Sequence, residues 1–149
     1  MLTKSLNMKT KLLAIIALFL ASALFTACKK EDSDTFKAKI SGRWKVNKIE
    51  KKTYDANGTT VATTVTNSYT DTDYIDFKNN ENDELEINLG SGNRVMGNYV
   101  VIMGQQFNIS LSDKLLYCNT DLLNETTFQF TGSVDKSSPK VTETYYLKR

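Results

Sequence analysis

Few side chains in this sequence could do chemistry. It has no histidine and two cysteines, Cys28 and Cys118. Without imidazole the chain lacks the commonest general base and the commonest metal ligand. Two cysteines make neither a disulfide framework nor a four-thiolate zinc site. A catalytic Cys118 would need a base or a cationic setting to form thiolate. Its neighbours are Leu116 and Tyr117, so it reads as a small buried hydrophobe. Asp71, Asp73, Asp76, Glu81, Asp83, Glu84 and Glu86 lie close enough in sequence to offer oxygens to a hard cation such as calcium. They lack the loop glycine of an EF-hand and read as solvated surface charge, with Glu84 and Glu86 on the wet face of a strand. A glycosidase needs two carboxylates about 5–10 Å apart, and no pair stands out. The expectation is a non-catalytic protein with no metal and no cofactor.

The 149 residues amount to one domain. One proline and seven glycines exclude collagen and most disordered classes, and 10% aromatic residues argue for a packed core. Leaving out Lys4, Lys9 and Lys11, which sit in a segment expected to be removed, takes the formal charge from +2 down by three to −1. A near-neutral chain has no electrostatic reason to bind nucleic acid.

Those three lysines precede an apolar run from Leu12 to Phe25, broken only by Ser22 and followed by Thr26, Ala27 and Cys28. A charged start, an apolar stretch and small residues before a cut make a signal peptide over 1–27. The run is about 14 residues, short of the roughly 20 that cross a bilayer as a helix. A start at Met8 gives a tighter signal than a start at Met1. Leu24-Phe25-Thr26-Ala27-Cys28 resembles a bacterial lipobox. The resemblance implies that Cys28 is acylated, with palmitate-like chains, and becomes the mature N-terminus. Each buried CH₂ contributes about 0.8 kcal/mol, and two or more chains anchor stably. The alternative is an ordinary signal peptide with an incidental cysteine. Lys29-Lys30-Glu31-Asp32-Ser33-Asp34 lies in a flexible tether over 28–36. Its acid-rich charges resemble the surface-export signal of Bacteroidota lipoproteins, which implies an outer-membrane protein exposed at the cell surface. The alternative is a solvated spacer facing the periplasm.

The remainder, 37–149, must position whatever function exists, and it reads as consecutive strands. Leu85, Ile87 and Leu89 alternate with Glu84, Glu86 and Asn88; Phe107, Ile109 and Leu111 alternate with Gln106, Asn108 and Ser110; Phe128 and Phe130 alternate with Thr127, Gln129 and Thr131. One apolar and one wet face suit an antiparallel sheet or barrel. Asn57-Gly58, residues 79–83, Gly90 to Asn93, Gly104 and the polar stretch 132–139 supply the turns. The expected strands are 40–53, 59–70, 73–78, 83–89, 94–103, 105–112, 124–132 and 140–148. Eight short strands linked by hairpins predict an all-β, antiparallel, up-and-down eight-stranded barrel. Residues 115–123 mix leucines with Asn119, Thr120 and Asp121, and are read as a loop folded on the barrel rim or a short extra strand.

Gly42-Arg43-Trp44 opens the first strand. With the lipobox and the eight strands, this resembles the lipocalin-like domains of Bacteroidota lipoproteins. In lipocalins such a tryptophan plugs the closed end of the barrel. Arg149 is the stand-in for the family's tryptophan-packing arginine, and no helix follows the last strand. Thr72-Asp73-Tyr74 spells a family signature but lies far too early, and is read as coincidence.

The apolar inward set is Trp44, Val46, Ile75, Phe77, Leu85, Ile87, Leu89, Val95, Tyr99, Val101, Phe107, Ile109, Leu111, Phe128, Phe130, Tyr145 and Leu147. Trp44, Phe77, Tyr99, Phe107, Phe128, Phe130 and Tyr145 would line a ligand site inside the barrel. An eight-stranded barrel either fills itself with side chains or holds one small ligand. Strand 94–103 is apolar on both faces, so either 115–123 covers Met96, Val100 and Ile102, or that side binds a partner. Tyr54, Tyr69, Tyr74, Tyr117 and Tyr146 are candidates for surface stacking on sugar or protein, or are ordinary cross-strand residues. Two functions follow. One is a membrane-anchored barrel that binds a small apolar or amphipathic ligand. The other is a cell-surface module that binds glycan or protein through its outer face or rim.

Overall fold

The computed structural model describes residues 35–90 and 92–149, which fall within the unit Ser33–Arg149. Cys28, the signal peptide and the tether up to residue 34 lie outside the described residues. A one-turn helix α1 (Phe36–Ile40) leads into nine strands: β1 (Gly42–Tyr54), β2 (Thr60–Thr66), β3 (Tyr74–Phe77), β4 (Glu84–Leu89), β5 (Asn93–Met103), β6 (Gln106–Leu111), β7 (Leu115–Leu123), β8 (Thr127–Val134) and β9 (Val141–Lys148). All pairings are antiparallel, and the sheet runs β2-β1-β3-β4-β5-β6-β7-β8-β9, closed by β1 on β9. The result is a closed eight-stranded barrel with one additional strand, so the all-β barrel expectation holds.

Two strand assignments change places. The stretch 115–123 is β7, a full member of the barrel between β6 and β8. Leu116 and Cys118 point inward and are buried. A register shift between Thr120 and Leu122 puts Asp121 out of phase, after which Leu123 pairs with Phe128. That bulge broke the period-two pattern in the sequence. Conversely, the expected second barrel strand, 59–70, forms only β2. It pairs with β1 alone and is exposed along its length. The link from β2 to β3 is therefore no hairpin. The first strand also begins at Gly42 rather than residue 40, because 36–40 coil into α1.

The barrel is closed at the α1 end by its sequence neighbours. Thr35 accepts a hydrogen bond from the Ala38 amide, a typical helix N-cap. Ile40 is fully buried, and its carbonyl accepts the Trp44 Nε1–H at 2.7 Å. The Arg149 guanidinium lies 3.8 Å over the Trp44 ring and donates to the Ser41 carbonyl. Gly42, at φ +100°, makes the turn between helix and strand. At the opposite end, Asp73 ties the β2–β3 segment to the β4–β5 turn. Its carboxylate accepts from the Thr70 amide (2.6 Å), the Thr70 hydroxyl (2.9 Å) and the Gly90 amide (2.7 Å). Asn88 donates to the Thr72 carbonyl at 2.7 Å beside it.

All seventeen predicted inward residues are buried in the interior or packed against it. Ile40 and Leu116 join them. Gly97 on β5 faces the same interior, where a Cβ would collide with the Ser110 carbonyl and come within 2.7 Å of Leu111. The β5–β6 pair is thus close because residue 97 has no side chain. Gly97→Ala is expected to lower stability by about 1–3 kcal/mol through overpacking. A urea unfolding midpoint unchanged from the parent would show that β6 yields without strain.

Candidate functional site

The structure gathers the seven predicted interior aromatics into one cluster. Phe130 stacks on Tyr145 at 4.7 Å and meets Phe107 and Phe128 at 5.1 Å each. Phe77 meets Tyr99 edge-on at 5.2 Å, and Trp44 meets Phe128 at 5.4 Å. Phe36, from α1, covers Phe107 at 5.8 Å. These centroid distances are those of rings in direct contact. At this level the barrel is filled by its own side chains, one of the two outcomes its strand number permits.

Beyond the rings, toward the end opposite α1, the interior turns polar. Glu143 accepts from Lys114 Nζ at 2.6 Å and from the Tyr145 hydroxyl at 2.5 Å. Burial, then the nearby Glu143 charge, pushes the Tyr145 hydroxyl well above the ordinary tyrosine range. Burial likewise pushes the Cys118 thiol far up, which favours the neutral thiol over thiolate. It fills space beside Gly132, as a small hydrophobe does. Tyr69, from the β2–β3 segment, packs against this interior.

The acidic residues do not converge. Asp71 pairs with Lys45 (3.0 Å), Asp76 with Arg43 (3.5 Å) and Asp83 with Lys37 (2.8 Å). Among the described residues, no three cation-ligating side chains come together. Glu86 faces outward, as its alternation with Leu85 and Ile87 predicts, but its neighbours on that face cover it. It accepts from the Tyr74 hydroxyl at 2.7 Å, with Lys78 and Arg94 beside it, and is buried. The Tyr74 hydrogen bond holds its carboxyl below the usual range. Tyr74, a candidate surface tyrosine, is itself buried, with Arg43 3.9 Å over its ring.

The outer wall across β5, β6 and β7 is different. The stretch 115–123 does not cover β5, because it is itself a strand of the wall. Met96, Val100 and Ile102 remain half or more exposed, as does nearly half of Tyr117. In register, Val100 lies opposite Asn108, and Asn108 opposite Tyr117. Ile102, Gln106, Asn108, Tyr117 and Asn119 border a shallow groove of about 350 Å³. Among the described residues, no charged side chain borders it. Among the described residues, the side-chain amides of Gln106, Asn108 and Asn119 have no hydrogen-bond partner. Tyr117 was legible as a surface tyrosine, whereas the three amides were not singled out. Gln106 and Asn108 read as a generic wet face until β6 and β7 are set in register. Two other hollows lie at the rims, about 370 Å³ beside Lys39, Leu123 and Arg149 and about 590 Å³ beside Tyr54, Pro139 and Lys140.

Compared with known proteins, the chain matches no family model, no curated protein and no solved structure.

The Asp73 tie yields a pH prediction. The hydrogen bond from the Thr70 amide, the largest cause, holds the Asp73 carboxyl below its ordinary value. A carboxyl depressed in the folded state stabilises fully above the unfolded value of about 3.9, and that contribution fades as pH falls through the lower folded value. Asp73→Asn should be less stable than the parent near neutral pH, and should lose less on acidification below about pH 4. Unfolding midpoints at the two pH values measure this. Parallel acid losses in parent and variant would show that other carboxyls govern the acid limb.

Proposed function

We propose that this protein is a non-catalytic surface lipoprotein whose lipocalin-like barrel recognises neutral glycan on its outer wall. The observation that carries the reading is the groove where the exposed Tyr117 ring lies beside the unpartnered amides of Gln106, Asn108 and Asn119. An aromatic face accepts the C–H face of a sugar ring. Amides both donate and accept, as hydroxyls require. The absence of charge along the groove favours a neutral chain over an anionic one. The bordering Ile102, with Val100 and Met96 beyond it, extends the contact with apolar surface.

A lipid anchor at Cys28 would hold this domain on the outer membrane, and the acid-rich residues after it favour display at the cell surface. Lipocalin character is supported by the closed end, where Gly42 turns the chain and Trp44 is held between Ile40 and Arg149. The reading in which a small apolar molecule enters the barrel has less support. Such a ligand would displace rings already in mutual contact, forfeiting packing worth several kcal/mol.

Titration calorimetry of the protein against neutral oligosaccharides (malto-, cello-, xylo- and manno-series) tests the reading. One series should bind saturably. Tyr117→Ala should weaken it at least tenfold, roughly 1.4 kcal/mol, without moving the unfolding midpoint. Saturable one-to-one binding of an apolar dye that changes Trp44 fluorescence and is competed by fatty acid would overturn it and move the site into the barrel.

A further inference from the structure

Among the described strands, β2 alone has a neighbour on only one side. Its inner edge pairs with β1 from Ile49 to Tyr54, and among the described residues nothing pairs with the backbone N–H and C=O groups of its outer edge. An exposed edge of this kind is a template for another strand. Proteins usually guard such edges with lysine, proline, a bulge or a covering loop. The one bulge lies at the turn end, where the register shifts between Thr53 and Tyr54 and skips Val61; from Ala62 to Thr66 the pairing is regular. The seven residues Thr60-Val61-Ala62-Thr63-Thr64-Val65-Thr66 contain no charge and no proline, and all seven are exposed. Six of the seven are β-branched, the side-chain type that best suits a strand.

The order of residues indicates which strand fits. Read from Thr63 outward, the sequence is nearly the same in both directions. Thr60 mirrors Thr66, Val61 mirrors Val65, and only Ala62 and Thr64 differ in type. A two-fold antiparallel pairing places each residue opposite its mirror position. We propose that β2 pairs with β2 of a second copy of this chain, antiparallel and centred on Thr63. Val61 then lies opposite Val65 of the other copy, and Val65 opposite Val61. These are two of the chain's exposed large hydrophobics, 60% and 48% accessible. They share the outer face with Thr63, so the pairing covers them with each other, a favourable kind of cross-strand pair. No like charges meet across the axis. The two barrels join into one continuous sheet through the strand that the barrel itself does not need. The inference is independent of the β5–β7 groove, which lies on another part of the wall.

The register makes a sharp test. On the axis, residue 63 faces its own copy. Opposed Cα atoms in an antiparallel pair lie about 4.5–5.5 Å apart, within the 4.4–6.8 Å that a disulfide spans. Two copies of residue 61 would be four residues apart along the strands, about 13 Å. In the full-length chain with Cys28→Ser, the buried Cys118 is the only other thiol. Under mild oxidation, Thr63→Cys should give at least tenfold more covalent dimer than Val61→Cys. Sedimentation should show a concentration-dependent dimer for the parent and for Thr63→Val, and a monomer for Thr63→Lys, which sets two ammonium groups face to face. Circular dichroism should show all variants folded, since residue 63 touches no core. Three results would each overturn the proposal: a parent monomeric at every concentration, equal cross-linking at 61 and 63, or a dimer indifferent to Thr63→Lys. The first would leave the edge to a foreign strand, and the last would place the contact on another surface.

Discussion

Three strands compete for the two edges of β1, and the outcome fixes the architecture. β9 takes one edge from Lys45 to Thr53. The other edge is divided: β3 takes Gly42 to Lys45, and β2 takes Ile49 to Tyr54. A register irregularity between Val46 and Lys48 bends the strand where its neighbours change. Backbone groups buried without partners are costly, so a strand of 13 residues must be flanked along its length. β3, with four residues, closes the barrel but is too short to do this alone. The extra strand completes the edge, and barrel closure and the projecting β1–β2 hairpin are two results of one mismatch in length.

The interior was legible because period two is a strong signal when one face is greasy and the other wet. Phe107, Ile109 and Leu111 against Gln106, Asn108 and Ser110 leave no doubt about which way each points. Legibility failed where that contrast was absent. In β2, threonine, valine and alanine suit a pleated sheet in any setting, so the residues did not say whether the strand belonged to the barrel. In β7, the displaced Asp121 broke the inward row, so that the stretch read as a rim loop or a short extra strand. The burial of Glu86 and Tyr74 was not legible for another reason. Their burial comes from each other and from Arg43, Lys78 and Arg94 on three separate segments, which no local pattern encodes. Arg149 was identifiable as a partner for Trp44 only through a resemblance, and the stacking geometry supplies what spacing could not.

The packed rings and the bare wall complement one another. With the aromatic cluster holding the barrel from within, the β5–β7 surface need not contribute apolar burial to stability. Val100, Ile102 and Tyr117 are then open to select partners without risk to the fold. The groove amides are free for the same reason, since the ladders of β6 and β7 are satisfied by backbone alone. The wall is paired along β5, β6, β7 and β8, so its backbone is ordered before any ligand arrives.

The two ends of the described chain meet at Trp44, with α1 arriving on one side and Arg149 on the other. One indole thus pins three parts of the chain: the Ile40 carbonyl takes its N–H, the Arg149 guanidinium takes its face, and β1 carries it. The fastening of both chain ends to the barrel therefore rests on a single side chain, so that fraying at either end is resisted at the same point.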